Sequence, residues 1–317
     1  MAEADLERTE RETGQRQAMM MEAPSASPDD TVRKFRGRGF GASRAAPGAP
    51  QGVARIAFAA PDGITRLAQL FQKTPLRVLR PNSAPGEPRC AVLANTGGGI
   101  VGGDALQVRV RLAAGAVAVI TSQAAEKVYR SVGADATVDV ELELADQAWL
   151  EWLPQETILF DRARLRRTLR VDATAQARLV AADMIVFGRR ARGERFATGL
   201  FRDRWEVHIG RRLVWADALH LAEPGPILDA PFGFAGAAAF ATCIYLAPDA
   251  KQRIGLARDL AESPDVRSGA TNLGPLLIVR WLAADPAPLR QALQRFCARF
   301  RHAVAGLPER VPAIWRT

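Results

Sequence analysis

The sequence predicts a mainly β protein whose strands form stacked, hairpin-like rungs. Apolar and polar residues alternate strictly through residues 106–112 and again through residues 138–144, which is the pattern of strands that bury one face. Each alternating run ends at turn-forming residues and is followed by a second short run. The breaks recur about every thirty residues, within the range of repeated supersecondary units, at Gly115, Asp146, Thr174 and Gly210.

Four such strand pairs follow one another along the chain. They are residues 106–112 with 117–121, 138–144 with 149–152, 169–171 with 177–180, and 205–209 with 213–215. Their spacing is too irregular for a consensus solenoid. A doubly wound sheet would require helical patterns of about 10 to 15 residues between the strands, so a stack of rungs fits the sequence better.

Helical periodicity comes late in the chain. Asp285 and Pro286 are typical of a helix start, and Gly306 is placed to end the same helix. Between them, apolar residues recur at three-to-four spacing, at Leu289, Leu293, Phe296, Phe300 and Val304. The remaining predictions in this region are a weaker helix within residues 248–263 and strands at residues 239–246 and 276–281.

The composition predicts one domain after an N-terminal tail. Residues 1–51 are rich in Glu, Arg, Ala, Ser, Pro and Gly and have no apolar period, so we expect them to be disordered. With 48% hydrophobic residues in the whole chain, residues 52–317 can bury a sizeable core, as a β-rich body to about residue 230 and an α/β part from about residue 231.

Targeting signals and cysteines favour a cytoplasmic protein. The N-terminus has no signal-peptide hydrophobic region. The uncharged window at residues 230–248 is rich in Gly and Ala, so it predicts a loop and a buried strand and not a membrane span. Cys90, Cys243 and Cys297 are far apart and odd in number, which argues against a disulfide framework and for a reducing compartment.

A glycine-rich segment at residues 93–104 resembles a nucleotide-binding loop. Gly97, Gly99 and Gly102 fit the dinucleotide spacing, and Glu126 lies where a ribose-binding acid is expected. That fingerprint requires a helix to begin at the glycines, but an alternating strand pattern follows them. The phosphate-loop pattern also fails, because Asp104 stands where it requires a lysine. A tight glycine turn between strands is the favoured interpretation.

Charge offers a second alternative function. The chain has a net charge of +9, and residues 161–212 hold fourteen arginines against six carboxylates, so a nucleic-acid interface is conceivable. Lysine is scarce, however, and the arginines follow strand periodicity with no known nucleic-acid motif. We favour a solvated sheet face with ion pairs to Asp161, Glu194, Asp203 and Glu206.

Catalytic groups are sparse. The three histidines, His208, His220 and His302, stand singly, and no chelating or nucleophile motif accompanies them. Glu156 and Asp161 flank a short apolar run, and on a strand they would project to opposite faces. This geometry is poor for shared acid and base chemistry.

Five ordered blocks resemble the urease accessory protein D family, also called UreD or UreH. They are residues 63–67 with 75–81, residues 97–104, residues 123–130, residues 153–161, and a fifth block made of residues 188–189, 193–194, 202–207 and 212–217. The similarity runs from about Val53 to the C-terminus. The N-terminal tail has no counterpart in the family core, and residues 268–275 follow the family pattern only loosely. In the glycine block the structural motif of the family is matched by Gly97, Gly98, Gly99, Gly102, Gly103 and Asp104.

The resemblance implies a fold and a function. The family has a mainly β, helix-like stack of strands, a β-solenoid-like body, with a small two-helix element toward the C-terminus. Its members are non-catalytic cytoplasmic chaperones that join accessory protein F and the GTP-binding accessory protein G, dock on the urease apoprotein and support nickel insertion. A water-filled route through the D protein has been proposed. We therefore expect nickel as transported cargo, no tightly bound cofactor, no nucleic acid and no membrane.

Nickel chemistry narrows the candidate residues. Ni²⁺ accepts imidazole, thiolate and carboxylate ligands, and a carrier that must release it is better served by sparse oxygen ligands than by a closed cage. Carboxylates in the family-like blocks are candidates for lining a nickel route: Glu126, Glu156, Asp161, Glu194 and Asp203. Each is also a candidate for a structural ion pair with a neighbouring arginine.

Overall fold

The computed structural model describes residues 51–316, and its body consists of two facing sheets, with strands numbered along the chain. The seven-stranded sheet contains, in spatial order, β14 (Arg212–Ala222), β13 (Leu200–Ile209), β11 (Arg164–Ala173), β8 (Ala136–Leu144), β5 (Ala105–Leu112), β1 (Gly52–Ala59) and β2 (Arg66–Lys73). The second contains β16 (Arg267–Leu273), β17 (Leu276–Ala283), β15 (Ala239–Leu246), β12 (Arg178–Phe187), β9 (Trp149–Leu153), β6 (Val117–Ser122), β4 (Arg89–Asn95) and β3 (Leu76–Leu79). Two short strands, β7 (Glu126–Val128) and β10 (Thr157–Leu159), pair beside β12.

The middle of the chain winds as a β-solenoid. It passes through β5, β6 and β7, then β8, β9 and β10, then β11 and β12. Equivalent strands of successive coils pair in parallel, so that Val108 lies beside Val140 and Val140 beside Leu169. The predicted mainly β, solenoid-like fold is therefore confirmed.

The predicted hairpin-like pairing within each rung is wrong for most rungs. The strands on either side of the turn at Gly115, β5 and β6, lie in different sheets and pair with the next coil instead. Only the last predicted pair, β13 and β14, forms an antiparallel hairpin. Alternation of apolar and polar residues indicates only that one face of a strand is buried. The same pattern arises whether the strand pairs with its sequence neighbour or with the equivalent strand of the next coil.

The central strands of the second sheet, including β12 and β15, are buried on both faces. On β12, Leu179, Ala181 and Ile185 face the seven-stranded sheet, whereas Val180 and Met184 contribute to a second core. This double burial explains why β12 and β15 are nearly continuous apolar runs in the sequence.

Two helices, at residues 254–261 and 286–305, cover the outer face of the second sheet. The described residues contain α1 (Gly225–Asp229), α2 (Ile254–Ala261) and α3 (Pro286–Ala305). The N-terminus of α3 is capped by Asp285, whose side chain accepts a hydrogen bond from the Ala287 N–H at 2.9 Å, and the helix ends at Gly306 with φ 64°. The predicted long helix and its weaker neighbour, α2, are confirmed.

Two further predictions concern the uncharged window at residues 230–248 and the N-terminal tail. Within the described residues no helix is long and apolar enough to cross a membrane, and the window at residues 230–248 contains the buried strand β15. The predicted N-terminal tail lies outside the described residues except for Gln51.

Candidate functional site

A cavity of about 350 Å³ lies between the two sheets. Leu106 and Val138 line it from the seven-stranded sheet, and Leu93 and Trp152 line it from the second sheet. The glycine-rich loop borders it at one end. This interior space is the candidate site because it lies between the glycine-rich loop of the family-like block and buried charged residues.

The glycine-rich loop connects β4 directly to β5. Gly98 and Gly103 have φ values of 77° and 92°, which favour glycine. A Cβ on Gly99 would lie 2.4 Å from the Tyr129 ring, and one on Gly102 would lie 2.2 Å from the Ser131 hydroxyl. Turn geometry and close packing thus account for the glycines. A strand, and not a phosphate-binding helix, begins immediately after them.

Polar side chains fix this loop and one predicted site residue. Asn95 accepts a hydrogen bond from the Gly97 N–H at 3.0 Å and donates to Glu126 Oε1 at 3.2 Å. Asp104 Oδ2 accepts a hydrogen bond from the Val101 N–H at 2.9 Å. Burial raises the pKa of Glu126 to about 7, so the carboxyl group that lines this end of the cavity can exchange a proton near neutral pH.

Charged residues occupy the other end of the cavity. Arg167 pairs with Asp203 through Nε at 2.8 Å and through Nη2 at 2.6 Å, and Nη2 also pairs with Asp183. The Trp205 Nε1–H donates to Asp203 Oδ2 at 3.0 Å. We call Arg167, Asp183 and Asp203 the Arg167 cluster.

The Arg167 cluster is deeply buried. The side chains of Asp183 and Asp203 are 6% and 7% exposed. Burial raises the pKa of Asp183, and the Arg167 guanidinium opposes that shift. The sequence analysis did not select Asp183. Its signal was a single carboxylate within the otherwise apolar run of β12.

A second cavity, of about 240 Å³, borders the same cluster. Asp203 and Trp205 line it together with Asp217 and Arg280, which form an ion pair at 2.5 Å. Trp205 lines both cavities. The cluster therefore contacts both spaces, one on the glycine-loop side and one on the β14 side.

The family comparison agrees with the sequence blocks. The model of the family described as UreD urease accessory protein matches residues 50–316. The chain belongs to the UreD family. The urease accessory protein UreD of Magnetococcus marinus is 43% identical over 255 residues, which cover 78% of this chain and 88% of the relative. That of Azorhizobium caulinodans is 44% identical over 225 residues, covering 71% and 81%, and that of Granulibacter bethesdensis is 40% identical over 240 residues, covering 75% and 99%.

The remaining carboxylates predicted for this UreD chain hold structural partners. Glu156 pairs with Arg290 of α3 at 3.3 Å. Asp161 Oδ1 accepts hydrogen bonds from the backbone N–H groups of Ala197 and Thr198, each at 2.9 Å. These contacts brace loops, and neither residue lines either of the two cavities.

Glu194 contributes to the same set of contacts that hold the loops around Asp161. It pairs with Arg189, whose hydrogen bonds lower the pKa of Glu194, and it accepts a hydrogen bond from the Asp161 N–H at 3.2 Å. Of the five predicted transit residues, the structure thus places Glu126 and Asp203 at the cavities. A metal role for all five stays a prediction.

The arginine-rich segment of this UreD chain forms many ion pairs. The four carboxylates predicted as partners each have at least one: Asp161 with Arg162, Glu194 with Arg189, Asp203 with Arg167, and Glu206 with Arg170 and Arg204. Among the described residues no group of three or more His, Cys, Asp or Glu could hold a metal ion.

Proposed function

We propose that this protein is a non-catalytic scaffold for nickel insertion into urease. In this proposal it acts in the cytoplasm, joins accessory proteins F and G, and docks on the urease apoprotein. Membership of the UreD family supports the urease-accessory role, since the relatives carry the name urease accessory protein. The partners and the nickel cargo are the further step of the proposal.

The observation that supports a nickel cargo is the set of one half-buried and two buried carboxylates along the two cavities. Glu126 lines the first cavity near the glycine loop, Asp183 lines its inner end, and Asp203 lines the second cavity. Apolar side chains such as Leu106 and Val138 line the cavity between its charged ends, and Arg167 lies between Asp183 and Asp203, so a cation would be attracted at a few points only. Such sparse oxygen contacts suit an ion that must be passed on.

The electrostatic attraction between a cation and a single carboxylate is large enough to matter for an ion on this route. Two opposite unit charges about 4 Å apart attract each other by about 4 kcal/mol at an effective dielectric constant of about 20. A divalent ion near one carboxylate would gain about twice that amount, which offsets part of the dehydration cost. A site with several carboxylates would hold the ion more firmly and slow its release.

The test is reconstitution with the natural partners. The full chain would be co-expressed with the urease subunits and the other accessory proteins, and complex assembly, nickel content and urease activity would be measured. Glu126→Gln and Asp203→Asn should lower nickel content while the complex still assembles. Glu156→Gln is the matched control, because Glu156 is a paired carboxylate that does not line the cavities.

The outcomes separate the parts of the proposal. Nickel-loaded urease in the absence of this protein would contradict an accessory role. Normal nickel content in both cavity variants would remove the two carboxylates from any route and leave the scaffold role in place. The alternative functions are checked on the purified chain by titration with NAD, ATP and GTP and by measuring the salt dependence of nucleic-acid binding.

A further inference from the structure

A groove of about 580 Å³ lies on the outer face of the second sheet, beside the C-terminal half of α3. Cys90 and Val92 line it, and they point to the outer face because Ala91, between them on β4, belongs to the core between the sheets. The loop at residues 80–88 and the segment at residues 310–314 also line it. The groove shares no lining residue with the two interior cavities, and its volume is within the range of ligand pockets in proteins.

Much of the lining of this groove is apolar. Val92 and Val119 lie beneath it on β4 and β6, and Pro312 and Ile314 line it from the C-terminal segment. Leu79, the last residue of β3, also borders the groove and is 47% exposed. A contiguous apolar surface that remains open to solvent is typical of an interaction site.

The groove also carries an excess of positive charge. Three arginines line it, Arg80, Arg301 and Arg310, against one glutamate, Glu87. Glu87 and the buried Glu151 together offset Arg301 and Arg310. The exposed Arg80 has no ion-pair partner among the residues that the structure describes, so its charge is not offset.

Arg310 keeps hydrogen-bond donors available at the groove. Its Nε donates to Glu87 Oε1 at 2.5 Å, whereas neither of its Nη groups has a partner within residues 51–316. Its side chain is 41% exposed. A guanidinium group matches the geometry of a carboxylate. The groove therefore fits a ligand that combines apolar groups with a carboxylate.

The adjacent edge of β3 does not offer itself for strand addition. β3 is the last strand of the second sheet, but the Val78 N–H on its outer edge donates to Gln72 Oε1 at 2.8 Å. An occupant of the groove would therefore be held by its side chains, and not as a further strand of the sheet.

We propose that this groove docks a short segment of a partner protein, with apolar side chains against Leu79 and Val119 and a carboxylate at Arg80 and Arg310. The groove is open to solvent, so an exposed segment of another protein can enter it without any opening of the fold.

The inference rests on the proposed function only for the source of the segment, which would be one of the proteins assembled with urease. The chemistry that the groove accepts is a property of this chain. It can be measured on the isolated chain with a small apolar anion.

The first test is titration of the full chain with anilinonaphthalene sulfonate (ANS), an apolar anion that reports exposed apolar surface by fluorescence. Leu79→Glu and Arg80→Glu should each weaken ANS binding by about tenfold or more, because they place like charge beside the anion. Leu273→Glu is the matched control for Leu79, since Leu273 also ends an edge strand and is 46% exposed. Arg211→Glu, in the turn between β13 and β14, is the control for Arg80.

Circular dichroism would verify the folding of each variant. Equal ANS binding by the unmodified chain and by folded Leu79→Glu and Arg80→Glu would overturn the proposal, and so would the absence of ANS binding by the unmodified chain.

The second test uses Cys90 to report occupancy of the groove in the assembled complex. Cys90 lines the groove, whereas Cys243 and Cys297 are only 1% and 2% exposed. Iodoacetamide should alkylate Cys90 in the isolated unmodified chain, and Cys90 should be protected in the complex co-expressed with the urease subunits and the other accessory proteins. The complex should contain less Leu79→Glu than Leu273→Glu. Equal alkylation of Cys90 in the isolated chain and in the complex would overturn the docking.

These results are separable from the reconstitution test. Failure of the unmodified chain to assemble with the urease proteins would contradict the proposed function and the source of the segment, while ANS binding that is lost in Leu79→Glu would still support the chemistry of the groove. Normal assembly and nickel content with Cys90 unprotected would contradict the docking and leave the proposed function standing.

Discussion

Two buried arginines, Arg167 and Arg301, each lie between two carboxylates, but their surroundings differ in charge. Arg301 pairs with Glu151 at 2.9 Å and with Glu87 at 3.0 Å, and Arg310 also pairs with Glu87, at 2.5 Å. We call these four residues the Arg301 cluster. It holds two arginines and two carboxylates, whereas the Arg167 cluster holds one arginine for two carboxylates.

The two clusters do not differ in the completeness of their hydrogen bonding. Asp183 Oδ1 lacks a partner among the described residues, but so do Glu151 Oε2 and Arg301 Nη2. Nor does a neighbouring cavity separate them, because Arg301 borders a groove lined by Val92 and Val119. Charge balance is the difference. The Arg301 cluster fastens α3 to β9 with balanced charge, while the Arg167 cluster carries one excess negative charge when its three groups are ionised.

The largest expected effect comes from removing the arginine of the balanced cluster. Arg301→Met would leave Glu151, whose side chain is 1% exposed, as a buried charge without its cation. Loss of one partner from a buried pair costs about 3 to 5 kcal/mol. Urea unfolding at pH 7 would measure this loss in free energy of unfolding.

Arg299→Met is the control on the same helix. The Arg299 side chain is 60% exposed and lies 3.9 Å from Glu309, so its loss should cost less than about 1 kcal/mol. Equal stability of the two variants would show that the Arg301 cluster does not fasten α3 to β9.

A smaller effect should separate the carboxylates of the two clusters. Glu151→Gln leaves two arginines for one carboxylate and should lower the free energy of unfolding by about 2 to 3 kcal/mol, comparable to losing a hydrogen bond to a charged group. Asp183→Asn leaves a neutral pair of Arg167 and Asp203, so it should cost less than about 1 kcal/mol, because it removes uncompensated charge. Urea unfolding of both variants at pH 7 makes the comparison direct, and equal losses would show that charge balance does not distinguish the clusters.

The sequence predicted the strands of the solenoid better than their pairing. Alternation located β5 and β8 because each buries one face. Alternation could not distinguish a hairpin from a solenoid coil, since that choice depends on which strand pairs with the free edge of each strand. Helix α3 was predicted at both ends because Asp285 and Gly306 act locally on the backbone.

The buried charge at the candidate site was only partly predictable. Glu126 and Asp203 were selected from family-like blocks, and an arginine partner was predicted for Asp203, but the sequence did not single out Arg167. Arg166 and Arg167 are adjacent in β11 and point to opposite faces, so only the register of the strand assigns Arg167 to the interior. Selecting Asp183 would have required knowing which face of β12 lines the cavity. A strand that is buried on both faces has no alternation of apolar and polar residues from which that face could be predicted.

The last expected effect is a pH dependence at Glu126, at the other end of the first cavity, where burial raises the pKa of the carboxyl group from 4.5 to about 7. Because the folded-state pKa is the higher one, folding favours the protonated form. The contribution of Glu126 to stability is therefore fully present below about pH 4.5 and is lost as the pH rises through about 7. Thermal melting between pH 4.5 and 8 should show this loss in the unmodified chain and a flatter profile in Glu126→Gln, with Glu309→Gln, an exposed carboxylate, as the control. Parallel profiles for all three proteins would mean that Glu126 is hydrated when ionised, and the excess negative charge along this cavity would then be confined to the Arg167 cluster.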